Sequence, residues 1–198
     1  MQQRISAILL AAGLSQRAGA EDKLLLKYDG KPILQHAVDL LSGLPKSPVF
    51  EKIIVTSLDK SGHIRIPEGV KLILNKKPEI GQSESIRLGI RAATGNFYMF
   101  MVADQPKLTV EDIEPLIMSA LSYRDKIIYP TIEGSPTTPT IFPAFFKNEL
   151  QALTGDNGGK EIRNNNPKSR VAIKIKNPDN FLEIDTMADF YKLFTKGR

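Results

Sequence analysis

The chain has 198 residues, a length that fills one domain and leaves little for a second. Hydrophobic residues make up 41% and charged residues 25%, ordinary globular usage that excludes disorder and collagen-like repeats. With no cysteine and only 2 histidines, a disulfide framework, an iron–sulfur cluster and a thiol nucleophile are excluded, and a histidine metal site is disfavoured. A net charge of +5 points to an anionic partner. The absence of thiols suits a reducing cytoplasm, the expected location. No apolar run approaches the ~20 residues of a membrane helix, so no membrane association is expected.

In chain order, the first apolar run, Ile5 to Leu10, reads as a buried strand. It is too short for a signal-peptide core. Ile33, Leu34, Ala37, Val38, Leu40 and Leu41 follow at helical spacing. Lys52–Ser57 and Val70–Leu74 are further strands; Ile86, Leu88, Ile90 and Ala93 mark a second helix, and Tyr98–Val102 a central strand. Val110 to Tyr123 forms a third helix, with Thr109 as its N-cap and Glu111 and Asp112 in the acidic first turn. Ile127–Tyr129 is a short strand before an irregular Pro/Thr-rich stretch from Pro130 to Pro143. Phe145 to Leu153 reads as a helix and Gly155–Gly159 as a turn. Val171–Lys176 alternates as a half-exposed strand, and Met187 to Phe194 is a closing helix capped by Asp185 or Thr186. This alternation predicts a single α/β domain over 1–198, its mostly parallel sheet covered by helices on both faces. No internal repeat and no separating linker interrupts it.

Three segments carry chemistry. The first strand runs into Leu10, Ala11, Ala12, Gly13, Ser15 and Arg17, with Lys23 beyond. Small residues let backbone N–H groups approach a polyphosphate; arginine forks onto its oxygens and lysine adds a point charge. The loop is neither a Walker loop nor a G-x-G-x-x-G turn. In the second segment, Gly81, Gln82, Ser83 and Ser85 open a helix, where free N–H groups and the positive helix end face a ligand. The third is Ala103-Asp104-Gln105-Pro106, a carboxylate leaving a central strand where open α/β sheets bind ligands.

Together these segments resemble the nucleotidyltransferases of molybdenum cofactor biosynthesis, most of all the molybdopterin cytidylyltransferase branch. The shared pattern is L-A-A-G-x-S-x-R-x-G with a following lysine, G-Q-S-x-S-I-R-x-G, A-D-Q-P, G-D-x-G and I-D-T. Here it is met by Leu10 to Lys23, Gly81 to Gly89, Ala103 to Pro106, Gly155 to Gly158 and Ile184 to Thr186. Ala20, Glu21 and Asp22 lie between Gly19 and Lys23, one residue more than usual. The resemblance implies a Rossmann-like, three-layer α/β/α enzyme that transfers CMP from CTP to molybdopterin with release of pyrophosphate. It implies Arg17 and Lys23 on the triphosphate, and Mg²⁺ held by Asp104 and Asp185. The finished cofactor would pass to a molybdoenzyme or its chaperone.

Thr138, Pro139 and Asp156 are the expected acceptor contacts. Thr137–Phe142 stands where relatives carry a Gly-His-Pro or Gly-Asn-Pro segment, and Asp156 reads equally well as part of a turn. Guanylyl-transferring relatives usually have Leu-Ala-Gly-Gly in the first loop; the methyl of Ala12 therefore favours a pyrimidine over GTP. The rival readings are a guanylyltransferase, a cytidylyltransferase for a phosphorylated alcohol or sugar, and a nucleotide-sensing module. His36 is expected in the core and His63 in solvent. The lysines and arginine at 168, 170, 174 and 176 are expected on a solvated face. Without interleaved aromatic platforms they predict no nucleic-acid partner.

Overall fold

The computed structural model describes residues 3–13 and 22–195. Its elements are β1 (Ile5–Ala11), β2 (Lys27–Tyr28), β3 (Lys31–Pro32), α1 (Ile33–Gly43), β4 (Val49–Thr56) and α2 (Leu58–Ser61). They continue with β5 (Val70–Leu74), α3 (Gln82–Ala92), β6 (Phe97–Val102), α4 (Val110–Ser122), β7 (Ile127–Ile132), β8 (Ser135–Pro136) and β9 (Thr140–Pro143). The last are α5 (Lys147–Ala152), α6 (Lys160–Asn165), β10 (Arg170–Lys174) and α7 (Met187–Thr195).

The main sheet has the order β10-β7-β9-β6-β1-β4-β5, with β8 added to β7. β1 runs parallel to β4 and β6, β4 to β5, and β7 to β10. Helices cover both faces, as expected. Along β1 the pleat sends Ile5, Ala7, Leu9 and Ala11 to one side, where α1, α4 and α7 pack, and Ile8 and Leu10 to the other, under α3, α5 and α6. A residue of β1 therefore meets a helix whichever way it points, which is why the run from Ala7 to Ala11 is continuously apolar; buried Ser6, near its start, is satisfied by donating to Glu51 Oε2 at 2.5 Å. Gly89 of α3 lies so close to β1 that a Cβ there would stand 2.6 Å from Ile8 Cγ2, bringing that helix tightly onto the sheet.

Both acidic helix starts form reciprocal caps. In α4 the Asp112 carboxylate accepts from the N–H and hydroxyl of Thr109 at 3.0 and 2.8 Å. At α7 it is Thr186 that caps: its hydroxyl accepts from the Asp189 N–H at 3.2 Å, while Asp189 accepts from the Thr186 N–H at 3.0 Å. Lys192 and Thr186 on that carboxylate lower its pKa to about 2. His36 is half-buried, its Nε2 within 2.8 Å of the Tyr28 carbonyl, and His63 is exposed.

The region from 130 to 143 differs from expectation. It is not irregular: β7 continues to Ile132, a turn leads into β8, and β9 enters the sheet interior antiparallel to both β6 and β7. All residues of β9 are buried, so pairing on both sides overrides its weak local strand signal. The helix expected over Phe145–Leu153 divides into a tight turn, Ala144–Phe146, and the shorter α5. α6 follows the Gly158-Gly159 pair and was not legible in the pattern. β10 ends at Lys174, two residues earlier than its alternation suggests. Among the described residues, no helix is long and apolar enough to cross a membrane.

Candidate active site

Parallel pairing of β1, β4 and β6 brings their C-terminal ends to one rim of the sheet. Leu10, Ala11, Ala12 and Gly13 lie there, at the end of β1. Ala12 is only 2% exposed, whereas Gly13 is open. Ser15 and Arg17 fall outside the described residues. The chain is described again from Asp22, whose carboxylate Oδ1 accepts from the Leu24 N–H at 3.0 Å and caps the short turn Lys23–Leu25.

Lys23 lies between the two expected metal ligands. Its Nζ is 3.3 Å from Asp104 Oδ2 and 3.0 Å from Asp185 Oδ1. Asp104 leaves β6 after Ala103, and its backbone carbonyl accepts from the Ile184 N–H at 2.9 Å. That bond docks the distant segment 183–185 against the strand end. Burial lowers the affinity of Lys23 for its proton, but the Asp104 charge and the bond to Asp185 outweigh it, so its pKa is raised. Asp104 is pushed up by burial, which outweighs Lys23.

Glu183 is a further acid here, and it was missed in the sequence. In Glu183-Ile184-Asp185 the buried Ile184 points into the core, and two acids flank it. Alternation around an apolar anchor was the available signal. Burial, with the charge of Asp104 next, raises the pKa of Glu183. Its carboxylate accepts from the Thr137 hydroxyl at 3.0 Å. Buried Gln105 completes a network: its Oε1 accepts from the Thr138 hydroxyl at 3.1 Å, and its Nε2 donates to the Thr137 hydroxyl and the Phe181 carbonyl, both at 3.3 Å. The Asp104-Gln105 pair thus fastens segments 137–138 and 181–185 to the end of β6. Pro139 is buried, and the Thr138–Pro139 bond is cis.

The Gly81 segment forms a second wall with the Gly155 turn. Gly81 has φ +100°, and a Cβ on it would stand 2.5 Å from the Gly155 carbonyl carbon. Only glycine fits that approach. Ser83 donates its N–H to the Gly155 carbonyl at 3.0 Å, and Gln82 donates its own to Asp156 Oδ1 at 3.3 Å. Asp156 is therefore found at the N-terminus of α3, where a carboxylate complements the helix dipole. The Ser83 hydroxyl is buried with no partner among the described residues, and the Ser85 hydroxyl accepts from Asn75 Nδ2 at 3.1 Å. Arg87, one turn on, holds Glu84 at 2.6 Å and the Leu153 carbonyl at 3.1 Å, tying α3 to the end of α5.

The donor set suits a hard divalent cation. Two carboxylate oxygens already converge on one ammonium, and the second Asp104 oxygen, Oδ1, is buried without a hydrogen-bond partner. No group of three or more potential metal-ligating side chains occurs among the described residues. Magnesium-like ions are often held by one or two carboxylates, with water and substrate phosphates completing the shell.

A protein from Natranaerobius thermophilus described as a probable molybdenum cofactor guanylyltransferase is 24% identical over 150 residues, covering 75% of this chain and 69% of its own. The nicotine blue oxidoreductase of Paenarthrobacter nicotinovorans is 23% identical and aligns over 96% of each chain. Among solved structures, a nucleotidyl transferase from Methanothermobacter superposes with a TM-score of 0.76 at 19% identity, covering 96% of this chain and 95% of that one. A Mycobacterium tuberculosis protein in complex with manganese superposes at 0.74 and 18% identity, covering 98% and 100%. The family model described as a MobA-like NTP transferase domain matches residues 7–171, and the chain belongs to that family.

Proposed function

We propose that the protein transfers a nucleotidyl group from a nucleoside triphosphate to the phosphate of molybdopterin. The observation that carries this reading is the convergence of Lys23, Asp104 and Asp185 at the rim beside the end of β1. A phosphate oxygen of the acceptor attacks the α-phosphorus, a new P–O bond forms, and the bond to pyrophosphate breaks. The attacking phosphate is already anionic at neutral pH, so no protein base is required. Lys23 and Arg17 neutralise the triphosphate and the departing pyrophosphate. Asp104 and Asp185 would hold Mg²⁺. When bound, the ion supplies charge neutralisation at the transferring phosphoryl group. The Gly81–Ser83 backbone closes the nucleotide side, while Thr138 and Pro139, next to Gln105, and Asp156, beside the start of α3, serve as acceptor contacts.

The finer reading is CTP as donor, supported by the extra methyl of Ala12. Similar proteins named as guanylyltransferases support GTP, and a similar protein named as an oxidoreductase means that the site rather than the fold must carry the argument. Pyrophosphate release measured with four nucleotides against molybdopterin and a sugar phosphate tests donor and acceptor together. Release with CTP and molybdopterin supports the full reading; release only with GTP replaces the donor, and release only with the sugar phosphate replaces the acceptor.

A further inference from the structure

We propose that Arg163, together with Arg170, forms a binding site for a dianionic phosphate group between α6 and the β7–β10 edge of the sheet. Arg163 and Lys60 are the two buried cations among the described residues. A buried charge is costly unless a close counter-charge and hydrogen bonds compensate it. Lys60 is compensated, with Asp22 Oδ2 2.7 Å from its Nζ. Arg163 is not. It is 6% exposed, and its guanidinium carbon stands 4.9 Å from the centroid of the Tyr129 ring. An aromatic face attracts a cation but brings no counter-charge. Among the described residues the guanidinium has neither an ion pair nor a hydrogen-bond acceptor, and its Nε is fully buried in that condition. Arginine does not relieve this by losing its proton, so five donors are left for a ligand.

A second guanidinium is held beside the first. Arg170 opens β10, and its Nη1 donates to the Arg163 carbonyl at 3.3 Å and to Asn164 Oδ1 at 3.4 Å. Burial is the main influence that lowers the pKa of Arg163; Tyr129 opposes it, and the charge of Arg170 lowers it further. Two like charges are thus fixed together with no acid paired to Arg163. One dianion neutralises both, whereas a carboxylate neutralises half of the pair, and tetrahedral phosphate oxygens suit two planar forks. Exposed Lys174 leaves β10 on the same face as Arg170, opposite to Val171 and Ile173, and adds to the positive field at this edge. The place is distinct from the Lys23 cluster: β10 ends the sheet, and β9 separates β7 from β6, the strand that leads to Asp104.

The test follows thermal melting of the full chain in phosphate-free buffer, then with inorganic phosphate or glycerol phosphate at about 10 mM, against sodium chloride of equal ionic strength. Lys23→Ala serves as the background, which sets apart any phosphate held at the nucleotide site. Expected is a rise of about 2–4 °C with phosphate in Lys23→Ala, absent once Arg163→Met is added. An equal rise with and without Arg163→Met overturns the proposal, as does an equal rise with sodium chloride or no rise in the native chain. A rise in the native chain that Lys23→Ala alone abolishes also overturns it and leaves the nucleotide reading intact. A response to glycerol phosphate as well as inorganic phosphate assigns a phosphate carried on a larger molecule, and a response to inorganic phosphate alone assigns the free ion. Should Arg163→Met fail to fold, Arg170→Met, a change at a half-buried position, is read in its place: loss of the rise supports the site, and its full retention overturns it.

Discussion

At the scale of single residues the site is a balance of charges. Asp104 contributes one oxygen to Lys23 and keeps another buried without a partner, so its removal leaves little to hold a divalent ion. Asp104→Ala is expected to lower turnover by about a thousandfold while nucleotide binding changes little, since the charge it stabilises develops in the transition state. Pyrophosphate release at saturating Mg²⁺ checks this, and wild-type rates would remove the assignment. Glu183 invites a different measurement. Its pKa is raised by burial and by Asp104, so the folded state binds this proton more tightly than the unfolded chain does. The ionised carboxylate therefore costs stability above its folded pKa, and the cost disappears below the unfolded value. Glu183→Gln should raise the melting temperature near neutral pH, and the gain should fade as pH falls through the carboxylate range. A third outcome concerns the base: Ala12→Gly should raise GTP use relative to CTP by about ten- to a hundredfold. Because Ala12 is buried, an unchanged kcat/KM ratio would mean that its methyl does not meet the base.

Between elements, the start of α3 depends on a backbone contact that side chains would prevent. Gly81 has positive φ, and the Gly155 carbonyl group approaches from outside the helix. Gly81→Ala should cost about 1–3 kcal/mol of stability, from strain and from the displaced turn, and should weaken nucleotide binding as the Gln82 and Ser83 N–H groups move. Denaturant unfolding and calorimetry together separate the two effects. Arg87 provides the contrast. It bridges Glu84 and the Leu153 carbonyl, so Arg87→Ala should loosen α3 against α5 with a smaller kinetic loss than Arg17→Ala. Equal losses would mean that the phosphate pocket lies elsewhere.

Across the whole molecule, β9 decides how the two halves of the sheet join. It pairs antiparallel with β6 and β7, while every other long strand runs parallel to a neighbour. Phe142, at its centre, is fully buried, meets Phe100 and Phe146 edge-on, and leaves no room for a Cβ on Gly159. Phe142→Ala should destabilise the fold by about 3–5 kcal/mol through the cavity it opens. Thermal unfolding reads this directly; a loss under 1 kcal/mol would show that the region repacks freely.

The strands β1, β4, β5 and β6 and the helices α1 and α3 were legible because each contains its own signal, a short apolar run or three-to-four spacing, as was α4 with its capping Thr109; β2, β3 and α2 were not. Lys23, Asp104 and Asp185 were likewise legible as chemical types in a recognisable order. The path of residues 130–143 was not, because β9 is specified by partners on both sides rather than by its own Thr and Pro residues. Glu183 and Lys60 were missed for a related reason. An acid beside isoleucine and a lysine in a short polar helix look solvated in one dimension. Only the docking of Ile184 on the Asp104 carbonyl, and the meeting of α2 with Asp22, decide which charges leave water. Burial is a property of contacts distant in sequence, and so the tertiary structure alone settles it.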